Sequence, residues 1–146
     1  MKVFLGGTCN GSEWRKTIIP LLEMEYFDPV VSDWDEQAQE REAEAKESSD
    51  FRLYVLTPLM EGFYSIAEVV DDSNKRPAGT VLVVLEHDWR LQEPLGYEKV
   101  YWTHEQGQSI KAVTKLVSQN GVPCFTLLGD AVAYLNANAK YHERGE

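Results

Sequence analysis

The chain has 146 residues, 43% hydrophobic and 11% aromatic with 4 tryptophans, enough to bury a core without disulfide or metal staples. Its 24 acidic and 14 basic residues leave a net charge of −10, which argues against a duplex-binding surface, because neutralising phosphates takes clustered Lys and Arg. No apolar run approaches about 18 residues, so no membrane-spanning helix is expected. A single nucleoside or nucleotide stays open, since one small ligand needs only a few local donors.

The N-terminal residues MKVFLGG lack a signal-peptide h-region and cleavage site, and a cytoplasmic protein is expected. Residues 2–6 (KVFLG) read as a buried strand, followed by a polar loop, Gly7-Thr8-Cys9-Asn10-Gly11. Ser12 is placed to cap a helix from Glu13 to Met24 that Pro20 must kink or divide. Residues 27–31 predict a second short strand despite Pro29. Residues 36–47 (EQAQEREAEAKE) have high helix propensity and almost no apolar stripe, which predicts a solvated helix with Arg41 and Lys46 as its only cations. Residues 51–56 (FRLYVL) read as a third strand and 62–72 as a helix.

Residues 80–85 (TVLVVL) form the clearest buried strand, continuously β-branched or leucine. Residues 86–106 read as a long polar and aromatic connection carrying His87, Trp89, Tyr97, Tyr101 and Trp102, suited to a lid or an oligomer contact. A helix over 108–119 presents Ile110, Val113, Leu116 and Val117 on one face and ends at Asn120-Gly121. Residues 122–126 give a fifth strand and 130–140 a final helix. The alternation predicts one α/β domain over residues 1–146: a doubly wound, Rossmann-like or flavodoxin-like, five-stranded parallel sheet flanked by helices, with right-handed crossovers.

Three places could carry chemistry. The loop containing Gly6, Gly7 and Asn10 lets backbone N–H groups approach a phosphate or sugar, although it is neither GxGxxG nor a P-loop, and a plain strand-to-helix turn explains it as well. Asp33 and Trp34 fall just past strand two, where an indole can stack on a base and a carboxylate can accept from hydroxyls; turn capping and edge packing are the ordinary alternatives. Asp50 and the segment from Glu61 to Asp72 bracket strand three. On a helical wheel Phe63, Ile66, Ala67 and Val70 share one face, with Glu61, Ser65, Glu68 and Asp72 roughly opposite, so periodicity alone makes Glu68 a solvated carboxylate. His87, His104 and His142 lack ligand spacing, so neither metal nor cofactor is expected, and Cys9 and Cys124 read as free thiols.

Together FLGG, Trp14, YFDPVVSDW, SDFRLYVLTP and GFYSIAEVVDDSNKRP resemble the nucleoside 2-deoxyribosyltransferase-like family, over residues 1–85 in order. The resemblance implies a Rossmann-like fold and cleavage or transfer at the N-glycosidic bond of a 2′-deoxynucleoside or its 5′-monophosphate. It implies Glu68 as nucleophile, a matching acidic position at Asp50, here given the role of helper acid, and a sugar pocket lined by Gly6, Gly7 and Asn10. Ser65 and Glu61 are candidates for the sugar and 5′ side, and Asp33 and Trp34 for the base. Family members often carry Asp or Ser six residues before the nucleophile; Gly62 stands there, which leaves nucleoside against monophosphate open. A small-molecule nucleoside or nucleotide is the expected partner, with no nucleic acid polymer and no membrane, in a homo-oligomer. A fold of this kind that binds or senses a nucleotide without turning it over is the alternative.

Overall fold

The computed structural model describes residues 1–9, 11–31 and 33–143; Asn10 lies outside them. Strands β1 (Lys2–Gly7), β2 (Glu25–Phe27), β3 (Phe51–Leu56), β4 (Thr80–Val84) and β7 (Cys124–Phe125) form one sheet in the order β2-β1-β3-β4-β7, with every pairing parallel. All six residues of β3 are buried, as a central strand covered on both faces requires. The expected doubly wound α/β sheet is therefore present.

Period-two alternation sorts the core into two clusters. Val3, Leu5, Leu53, Val55, Val81 and Val83 point to one face, where helices α1 (Trp14–Ile18) and α5 (Leu128–Glu143) bring Ile18, Ala131 and Leu135. Phe4, Tyr54, Leu56 and Leu82 point to the other. There α2 (Glu36–Ser48), α3 (Tyr64–Lys75) and α4 (His104–Gln119) bring Ala45, Val69, Ile110 and Val117.

The helix over 13–24 is divided at Pro20, as expected, into the short α1 and a 3₁₀ turn, Ile19–Leu21. Four other local expectations change. Ser12 does not cap α1; its hydroxyl donates to Asp88 at 2.6 Å, and the cap position is Glu13 without a side-chain bond. The second strand lies upstream of the 27–31 expectation, since Pro29 has no N–H to give a ladder.

The 86–106 connection is largely a hairpin of antiparallel strands β5 (His87–Gln92) and β6 (Gly96–Tyr101). Its register puts Trp89, Leu91, Tyr97 and Tyr101 on one face, all exposed. Helix α4 starts at His104, ahead of the expected 108, because Thr103 and Gln106 form a capping box.

Candidate active site

The chain leaves β1 toward α1 on one face and leaves β3 toward α3 on the other, so the order reverses between two adjacent strands. A crevice at their carboxyl ends follows from that reversal. A cleft of about 390 Å³ opens there, lined by Gly6, Gly7 and Cys9 from β1 and its loop, Arg15 from α1, Trp34 before α2, Glu42 of α2, and Tyr64, Ser65 and Glu68 of α3.

The glycines are fixed by packing. Gly7 has φ +112°, and a Cβ on it would lie 2.2 Å from the Val55 carbonyl oxygen; a Cβ on Gly6 would lie 2.7 Å from the Tyr54 ring. The close approach of β1 to β3 thus demands both, and it also leaves bare backbone at the cleft.

Glu68 is 8% exposed, buried rather than solvated as the helical wheel suggests. Its Oε2 accepts from the Lys46 ammonium at 2.9 Å, and the Lys46 side chain is itself only 18% exposed. Burial pushes the Glu68 carboxyl above its ordinary value; Lys46 opposes that shift, and Glu42 and Asp72 add to it. For Lys46, burial acts downward, but the Glu68 carboxylate more than offsets it and raises the ammonium overall.

Asp72, one turn further along α3 and fully buried, accepts from the Tyr54 hydroxyl and from Arg76 at 2.8 Å; Arg76 also reaches Glu47 at 2.7 Å. Burial first, then the hydrogen bond to Asp72, raises the Tyr54 phenol, which stays a donor. Phe63 and Ala67, read from the sequence as core, are exposed; Val69 takes the core position.

Arg15 is absent from the sequence-based candidates, since an arginine at a helix start ordinarily reads as solvated. It is 6% exposed. Its guanidinium donates to Leu5 O at 3.0 and 3.2 Å and to Thr8 O at 2.7 Å, and stands 3.5 Å from Asp28. It binds the β1–α1 loop to the strand that precedes it. Burial lowers its pKa, against the pull of Cys9 and Asp28.

The structure brings Gly6, Gly7, Trp34, Ser65 and Glu68 together. It does not bring Asp50 to them. Asp50 precedes β3, at the amino end of the sheet, and its carboxylate accepts from the Lys2 N–H at 2.9 Å. Asp33 and Glu61 are exposed and do not line the cleft. Trp34 donates its indole N–H to Glu42 at 3.0 Å, which anchors the ring against α2. Among the described residues no group of three or more His, Cys, Asp and Glu could hold a metal ion, and no helix is long and apolar enough to cross a membrane.

Fold and cleft define a doubly wound α/β domain with a buried carboxylate at its topological switch point. Residues 1–88 match the family described as nucleoside 2-deoxyribosyltransferase like, and the chain belongs to that family. No curated protein matches it. The matched segment spans β1 through β4 and every residue that lines the cleft.

Proposed function

We propose that the protein cleaves or transfers the N-glycosidic bond of a 2′-deoxynucleoside or its 5′-monophosphate, with Glu68 as nucleophile. The observation that carries this reading is a buried carboxylate held by one oxygen to Lys46 in a cleft walled by Gly6, Gly7 and Trp34, in a chain of this family. Breaking the bond from C1′ to the base builds positive charge on the sugar. The Glu68 carboxylate stabilises that charge and forms an ester to C1′ as the base departs with the bonding electron pair. Attack on C1′ by a second base then transfers the sugar, and attack by water hydrolyses it; either frees the carboxylate.

Trp34 offers an indole face to a nucleobase. Ser65, three residues before Glu68 on the same helix, offers a hydroxyl to the sugar. The proton for the departing base reaches it from a cleft group other than Asp50, or from water.

The test is incubation of the purified protein with the common 2′-deoxynucleosides and their 5′-monophosphates, with and without an acceptor base. Glu68→Ala is expected to cut turnover by at least about 1,000-fold. Unchanged turnover in that variant sinks the assignment. The 5′ side favours a second reading, a binding module, because Gly62 is exposed and faces open space. Tight calorimetric binding of a deoxynucleotide that stays intact over hours would select it.

A further inference from the structure

We propose that helix α2 positions and charges Glu68 through two residues one turn apart, Lys46 holding the carboxylate by a direct ion pair and Glu42 opposing it from the cleft wall. This rests on the reading of Glu68 as the nucleophile. Lys46 and Glu42 are i+4 and i on α2, so they share a face of the helix. With Glu68 they line a second opening of about 430 Å³ between α2 and α3, next to the first.

A carboxylate nucleophile must be ionised to attack, yet one excluded from water resists ionisation. Lys46 answers that conflict, because its ammonium donates at 2.9 Å to Oε2 and leaves the other oxygen of Glu68 for C1′. Glu42 does the reverse. Its like charge disfavours ionisation of Glu68, and its bond to the Trp34 indole holds it at the cleft wall. The remaining titratable and charged groups around Glu68 are Tyr64 and Asp72 on its own helix, Glu36 and Glu40 of α2 across the second opening, Cys9 and Arg15 from the β1–α1 side, and Tyr54 of β3. Of these, Asp72 already bonds Tyr54 and Arg76, and Arg15 already bonds Leu5 and Thr8. Lys46 is the cation hydrogen-bonded to the carboxylate.

Both are positioning residues, and the two variants carry opposite signs. The Glu68 carboxyl carbon is followed by ¹³C NMR titration, assigned by its loss in Glu68→Gln. Lys46→Met is expected to move the titration upward by about one unit or more, since the opposite charge is gone. Lys46→Arg keeps the charge and should restore the midpoint. Glu42→Gln is expected to move it downward by a smaller amount, while its amide oxygen still accepts from Trp34.

The acid limb of kcat/KM should follow in the same directions, with about a tenfold change in activity per unit at pH values below the limb, lower in Lys46→Met and higher in Glu42→Gln. A purely structural salt bridge would lower the melting temperature of Lys46→Met and move the titration while leaving the acid limb of kcat/KM in place; an unmoved limb, or an upward shift in Glu42→Gln, overturns the proposal. If Lys46→Met does not fold, Glu42→Gln and Lys46→Arg decide it. Shifts of the expected sign in a protein that turns over no deoxynucleoside would leave the control by α2 standing and remove the enzymatic reading.

Discussion

The two faces of the sheet use the same strands in different ways. Toward α1 and α5, alternate strand residues meet an almost wholly apolar layer, Val3, Leu5, Leu53, Val55, Val81 and Val83 against Ile18 and Leu135. Toward α2 and α3 the same alternation yields Phe4, Leu56 and Leu82, but also Tyr54 and Arg52. There the packing is completed by charges: Lys46 with Glu68, Asp72 with Tyr54 and Arg76, and Arg52 donating to the Lys46 carbonyl at 3.0 Å. Helix α2 explains the difference, since it buries only Ala38 and Ala45. Two small residues bring it close to the sheet and contribute little apolar area, so polar pairs must hold it. One face carries stability through burial. The other holds a carboxylate out of water beside a cleft.

The largest break in this comparison comes from the apolar face. Leu53 is fully buried in a central strand paired on both sides. Leu53→Ala should cost about 4 kcal/mol, within the range of about 2–5 for such truncations, because paired strands relax little around the cavity. Urea denaturation measures it. The acid limb of any turnover should stay in place, since no charge near Glu68 changes.

The polar face should give way by a similar route with a different signature. Asp72→Ala leaves the fully buried Tyr54 hydroxyl without its acceptor and frees Arg76. A loss of about 3 kcal/mol is expected, the low end for breaking a buried pair, because Arg76 is 23% exposed and keeps Glu47. Here the titration of Glu68 should move downward as well, since the Asp72 charge contributes to its raised value. A variant that loses stability with an unmoved titration would erase the distinction between the faces.

The strand pattern was legible because β-branched and leucine runs such as TVLVV admit little else, and the alternation of helices and strands implies their order. Glu68 was legible through the motif around it, whereas its environment was not. Glu68 and Asp72 stand at i and i+4 on what reads as a polar stripe, and α2 reads as polar all round. Alone, α2 and the polar stripe of α3 look solvated; docked together, the two helices bury one another's charges, and helical period carries no information about that. The pairings of Lys46 with Glu68 and of Arg15 with Leu5 and Thr8 join residues brought together only by the fold. Asp50 shows the converse, since its place beside β3 in sequence puts it at the end of the strand away from the cleft. The hairpin had a signal, the alternation of Trp89 and Leu91 and of Tyr97, Lys99 and Tyr101, overlaid by interleaved charges.

A smaller effect sharpens the comparison at the start of α2. Asp35 caps this helix, its carboxylate accepting from the Ala38 N–H at 2.8 Å. Removing such a cap costs about 1 kcal/mol. In a helix anchored by a deep apolar stripe that loss would stay at the frayed end. Helix α2 lacks such a stripe, so the cost should be felt along it. Asp35→Ala is therefore expected to lower global stability by about 1 kcal/mol and to speed amide exchange as far as Lys46, more than Thr103→Ala does across α4, where Ile110 and Val117 are buried. Equal exchange in the two helices would mean that the ion pair to Glu68 anchors α2 as firmly as an apolar contact.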